Sequence, residues 1–199
     1  MVSTRKRTRD DEAPEVKKEP RTKLEEKTVK HKAALIKSED STADSPNATT
    51  LNGLTVQQPF ASAIIFGPKR IECRKQPLKI TNPKEGRWLA IHCGKSKTNF
   101  TDKTYELTKK LRWTEVPSEQ ELMKTAGQII GLAHFTATCP IDEISDDNVW
   151  KGAESCNNRT HAWSIDKVIP LDKPISHTGQ LGLWKVKEDI AKGLLKLID

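Results

Sequence analysis

Lys69, Glu72 and Arg74 lie close together in the run Gly67-Pro68-Lys69-Arg70-Ile71-Glu72-Cys73-Arg74. On an extended chain Glu72 and Arg74 project from the same face. Opposite charges so placed can pair with each other or jointly read the edge of a ligand. Lys and Arg suit phosphate, and a carboxylate suits the exocyclic amine of a base. Lys69 stands where a helix gives way to a strand and can reach the same face. The competing reading is an ion-pair network that only closes the fold, because a buried charge requires a partner. Lys69 and Glu72 are also the pair that a hydrolytic site would use. Their coupling is expected to lower the pKa of Glu72 and raise that of Lys69, poor tuning for proton transfer at neutral pH.

Trp163, on a strand beside His161, and Trp184, after Gly182-Leu183, are candidates for stacking on bases. Such stacking contributes ~1–3 kcal/mol per base in single-strand binders. Ordinary core is the commoner fate of a Trp in a small barrel, and Trp88 and Trp150 are assigned there. Trp113, following Arg112, is placed at the rim. Lys95 and Lys97, just after an apolar strand, are phosphate candidates. His92 and Cys93 are neighbours on a strand and face opposite sides, so they cannot readily share a metal. Cys73, Cys93, Cys139 and Cys156 form no CxxC pair, and neither a zinc site nor a disulfide framework is signalled. No metal or cofactor is expected, and nothing marks a Cys–His nucleophile.

The elements that must position these residues follow from periodicity. Leu54 to Val56 reads as a strand, and Pro59 opens a helix through Ile65 that Gly67 ends in a left-handed turn. Arg70 to Arg74 and the more apolar Trp88 to Cys93 read as strands. Thr101 to Leu111 has helical spacing. Ser118 and Glu121 form a capping box opening a second helix to about Thr125. Gln128 to Thr138 is a long strand with Gly131 as a bulge, and Asn148 to Glu154 one helical turn. His161 to Ile169 is a strand stopped by Pro170, Leu183 to Val186 the last strand, and Asp189 to Ile198 an amphipathic helix. Strands with few helices indicate an α+β barrel.

Composition places this domain in residues 51–199 behind a disordered tail, residues 1–50. The chain is 35% hydrophobic and 31% charged, and its first 50 residues contain no aromatic side chain. Such a segment buries too little to offset the entropy of ordering; Leu24 to Lys37 forms at most a transient helix. Arg5-Lys6-Arg7 and Lys17-Lys18 are spaced like a bipartite nuclear import signal, and the tail is a place for protein partners. The start has no apolar core for a signal peptide, and no stretch is apolar enough to span a bilayer. Nucleus or cytoplasm is the expected location, without a membrane partner. Net charge is +7, and residues 69–112 hold 13 Lys or Arg against 4 acidic residues. That concentration is the footprint of a nucleic-acid face.

Three stretches in order resemble the ASCH family. Gly67 to Arg74 fits its G-x-K-x-x-E-x-R signature, and Leu54-Thr55-Val56-Gln57-Gln58-Pro59-Phe60-Ala61 is similar to the strand, Q-P turn and helix that precede it. Ala162-Trp163-Ser164-Ile165, Pro170-Leu171, Pro174-Ile175 and Gly182-Leu183-Trp184-Lys185-Val186 resemble its closing strands. The last stretch, through Leu194-Leu195, is most similar to the ASCH module at the end of a eukaryotic transcription coactivator. The resemblance implies a PUA-like β-barrel with flanking helices, a cleft beside the signature strand, and nucleic-acid binding, with RNA the first choice. Some small bacterial members resemble RNA- or nucleoside-directed hydrolases, ribonucleases or acetylcytidine amidohydrolases, whose signature Lys works beside a Thr three residues later. Here that position is Glu72, which cannot replace a hydroxyl nucleophile. Binding in RNA metabolism or transcription coactivation is therefore the expectation, with a small hydrolase or a protein-interaction adaptor as alternatives.

Overall fold

The computed structural model describes residues 50–110, 113, 115–151 and 159–198. The tail readings, including the two basic clusters and the transient helix, lie outside these residues. Six strands form one sheet: β1 (Asn52–Val56), β2 (Ile71–Arg74), β3 (Arg87–Cys93), β4 (Gln128–Pro140), β5 (His161–Ser176) and β6 (Leu183–Lys185). Their order is β2-β5-β4-β3-β1-β6. Only the β1–β3 pairing is parallel. Helices α1 (Phe60–Ile65), α2 (Asp102–Lys110), α3 (Glu119–Met123) and α4 (Glu188–Leu195) complete the described elements. The α+β class expected from the strand pattern is observed, as a sheet curled into a half-barrel with β2 and β6 as end strands.

Alternation along the central strands feeds two apolar layers, because successive side chains leave a strand on opposite faces. Leu89 and Ile91 of β3, with Ile130, Ala133 and Phe135 of β4, pack with α1 on one face. Ala90, Ile129 and Leu132 pack on the other with Trp184, Ala191 and Leu194. Helix α1 is buried throughout, and Gln58 just before it is fully buried. The Gln58 amide donates to Ser62 Oγ at 2.8 Å and to the Leu122 carbonyl at 3.2 Å, tying α1 to α3. The capping box is present as expected: the Ser118 side chain takes the Glu121 N–H and Glu121 takes the Ser118 N–H.

Several local expectations change. Pro170 does not end a strand, and β5 runs on to Ser176. Beyond Ser164 the strand pairs with β4 alone, so its other edge is free and a missing N–H costs no ladder bond there. Gly67 does not take the left-handed conformation, which belongs to Gly86, Gly127 and Gly182. Its requirement is close packing instead, since a Cβ would sit 3.0 Å from the Ala63 carbonyl oxygen and 3.1 Å from the Trp113 ring. Trp113 is accordingly buried rather than at the rim. Trp150 is core as expected, while Trp88 is half-buried against the second layer. The bulge at Gly131 is present, as a register shift against β5. Cys73 is disulfide-bonded, a pairing the spacing did not signal, and Cys93 and Cys139 are free thiols.

Gly53 of β1 lies against the Trp184 ring, 2.5 Å from where a Cβ would stand. Gly53→Ala is expected to lower the unfolding free energy by about 1–3 kcal/mol through overpacking. Urea denaturation followed by tryptophan fluorescence measures this, and an unchanged midpoint would mean that the ring can move aside.

Candidate nucleic-acid interface

Strand β2 begins where α1 has turned back on itself, and this places Lys69 beneath its first residues. Lys69 is fully buried. Its ammonium donates to Glu72 Oε2 at 2.9 Å and to the Ile71 carbonyl, and it stands 5.2 Å from the centre of the Trp150 ring. Glu72 Oε1 accepts from the Arg74 guanidinium at 3.0 Å. The same guanidinium donates to the Thr55 carbonyl of β1 at 3.0 Å and lies 6.0 Å from the Trp163 ring centre. Glu72 and Arg74 thus share a face, as their spacing requires, and both carboxylate oxygens are engaged.

Burial lowers the pKa of Lys69 by more than its contacts with Glu72 raise it. This corrects the expectation of a raised value: desolvating an ammonium with no water contact outweighs one carboxylate. Burial alone would raise Glu72, but Lys69 and Arg74, with a further contribution from Arg159, hold it below the ordinary carboxylate range. An ionised carboxylate with both oxygens occupied is a charge clamp and a poor proton acceptor.

Beside this clamp is a cavity of about 730 Å³. Leu54, Val56, Phe60 and Trp163 contribute apolar lining, and Glu72, Arg74, Lys75 and Arg159 contribute charge. Glu72 is the single carboxylate among the lining residues. Lys69 does not line the cavity. Trp163 does, but it is 4% exposed and its indole N–H already donates to the Gln76 carbonyl. It is wall rather than platform. Trp184 is equally buried, covered by Gly53 and by the His177 ring at 4.6 Å, and its N–H is held by Thr55 Oγ1 at 3.1 Å. The stacking role expected of Trp184 finds no open ring face in this packing.

Lys95 is exposed and lines a second, adjoining cavity. Lys97 pairs with Glu119 at 2.8 Å on the surface and lines neither. Several cations of the basic stretch are spent on local partners. Arg70 donates to the carbonyls of Ile64, Gly67 and Lys69, Arg87 to that of Lys79, and Lys109 pairs with Glu106. Arg159, Lys75 and Thr55 are site residues that sequence reasoning missed. Arg159 had no signal at all, and Lys75 differed from its neighbours only by following Arg74. Among the described residues no His, Cys, Asp or Glu cluster is arranged to hold a metal ion. His134 is bound between Asp166 and the Glu85 carbonyl, both at 2.7 Å. Burial pushes the Cys93 thiol up to about 11, the opposite of an activated nucleophile.

Glu72→Gln leaves Lys69 buried without its counter-charge and is expected to cost about 3–5 kcal/mol of stability. Adding Lys69→Met should recover part of that loss in chemical denaturation. The folded pKa of Glu72 lies below its unfolded value. Its contribution is therefore complete above the unfolded carboxylate pKa of about 4.3 and is lost as pH falls through the folded value. Stability measured from pH 6 downward should fall less steeply in Glu72→Gln than in the wild type; equal slopes would remove Glu72 as the titrating group.

No family model matches the chain, and no curated protein matches it. Among solved structures it is similar to the crystal structure of ASCH from Zymomonas mobilis, at 13% identity and a TM-score of 0.44, covering 75% of this chain and 96% of that one. A serine-to-alanine mutant of the Zymomonas mobilis protein is similar at 14% identity and a TM-score of 0.41, covering 73% and 94%. A tyrosine-to-phenylalanine mutant gives 15%, 0.40, 73% and 96%.

Proposed function

We propose that residues 51–199 form an ASCH-type module that binds single-stranded RNA, taking one base into the cavity beside β2. The observation that carries this reading is the cavity's lining: apolar walls with room for a nucleotide, one carboxylate held ionised, and Arg74, Lys75 and Arg159 around it. Glu72 suits an exocyclic amine, and Lys75 and Arg159 suit the phosphates on either side. The likeness of Gly67 to Arg74 to the ASCH signature supports the same function. Lys69 acts at one remove, by fixing Glu72.

Hydrolysis draws no support from this geometry. Lys69 is out of reach of the cavity, and Glu72, held below the ordinary carboxylate range by its cations, is a poor acceptor of a proton from water. A role in RNA metabolism or transcription coactivation, and a nuclear location, belong to the same proposal. They rest on the sequence resemblance and on Arg5-Lys6-Arg7 with Lys17-Lys18.

Fluorescence titration of the chain with single-stranded RNA, duplex RNA and duplex DNA tests the reading. Single-stranded RNA is expected to bind tightest, with log affinity falling linearly against log salt. Lys75→Ala and Arg159→Ala should each reduce that slope by about one unit of phosphate contact. Salt-insensitive binding, or a double variant that binds like the wild type, would count against the cavity as the site.

A further inference from the structure

The cavity beside β2 is not isolated. A second cavity of about 450 Å³ shares Thr55, Gln57, Gln180 and Leu181 with it. Lys95 is the only Lys or Arg that lines the second, and no carboxylate does. Between the two stands Leu181, whose residue surface is 99% exposed. It lies on the connection from β5 to β6, where the flanking backbone is pinned. The His177 N–H donates to the Gly127 carbonyl at 3.2 Å, and the His177 carbonyl lies 3.0 Å from His92 Nε2. Gly179 is pressed onto His92 and Thr55, with no room for a Cβ: 2.4 Å to His92 Cε1 and 2.6 Å to Thr55 Oγ1. Gly182 then turns the chain at φ +69°, a conformation that glycine adopts without strain.

A bulky aliphatic side chain held fully in water on an anchored backbone gains nothing in the free protein. His92 and Gln57, which line the second cavity, each hold a buried atom with no hydrogen-bond partner, Nδ1 and Oε1.

We infer that the two cavities are consecutive subsites of one single-stranded RNA path, and that Leu181 is a wedge that separates two neighbouring bases. One base enters the larger cavity. Lys95 takes the phosphate of the neighbouring nucleotide, which occupies the smaller cavity, and Leu181 fills the gap where the two bases would otherwise stack. Apolar side chains act in this way in proteins that unstack base steps. The inference rests on the RNA-binding reading of the larger cavity and adds a second subsite and a residue with a defined role.

The test uses the full chain and a short single-stranded RNA carrying two adjacent 2-aminopurines, whose emission rises when they unstack. Wild-type protein is expected to bind and raise the emission. Leu181→Ala, an exposed substitution that the fold should tolerate, should weaken binding by about tenfold, the share expected of one buried leucine, and abolish the rise. Binding of adenosine monophosphate, which needs one subsite only, should weaken much less than binding of the strand. Equal affinity and an equal rise in Leu181→Ala would overturn the wedge while leaving RNA binding in place. Failure of the wild type to bind any strand at low salt would overturn both, and would turn Leu181 toward a protein partner.

Discussion

The carboxylate of Glu72, buried between Lys69 and Arg74, is the point on which the rest of this structure turns. β2 lies at one end of the sheet and has a single strand neighbour, so no backbone ladder joins it to β1 across the curl. Side chains do it instead. Lys69 holds Glu72, Glu72 holds Arg74, Arg74 reaches the Thr55 carbonyl of β1, and the Thr55 hydroxyl receives the indole N–H of Trp184 on β6. Lys69 and Glu72 are stripped of water and survive because each charge is compensated by its neighbour, while Arg74 stays partly exposed at the cavity. A change at any link leaves its neighbour unpaired in a poor solvent for ions.

This arrangement divides the cations by task. Lys69 is spent on structure, and much of Arg74 is as well. The cations with room for a ligand, Lys75, Arg159 and Lys95, are those at the cavity margins. The ion-pair network, one of the two readings the sequence left open, is observed, and the cavity proposed to take a ligand lies on its outward side. The network sets the position and charge state of Glu72, and its outward side forms part of the cavity.

Much of the fold was legible because local rules acted without competition. The apolar run of β3, the capping box of Ser118 and Glu121, and the shared face of Glu72 and Arg74 all depend on patterns or bonds spanning a few residues. Pro170 was misread because its cost depends on which edge of β5 lacks a partner, a fact about β2's length and not about the residues around the proline. Trp163 and Trp184 carry the right chemistry for stacking, but how much of each ring is covered is decided by Gln76, Gly53 and His177, which are distant in the chain.

What the sequence determined by itself is the class of fold, the position of most strands and the residues of the clamp. Those follow from side-chain alternation, capping and the need of a buried charge for an opposite one. Tertiary structure alone decided which charges face a cavity. The 13 cations of residues 69–112 are close together along the chain. Folding places Arg70 and Arg87 on backbone carbonyls and Lys97 and Lys109 on surface carboxylates. It brings Arg159 from outside that stretch to Glu72, and it sets Leu181 between two cavities. Charge density along a chain becomes a field only after folding fixes the distances, and Coulomb interactions depend on distance in space rather than on separation in sequence.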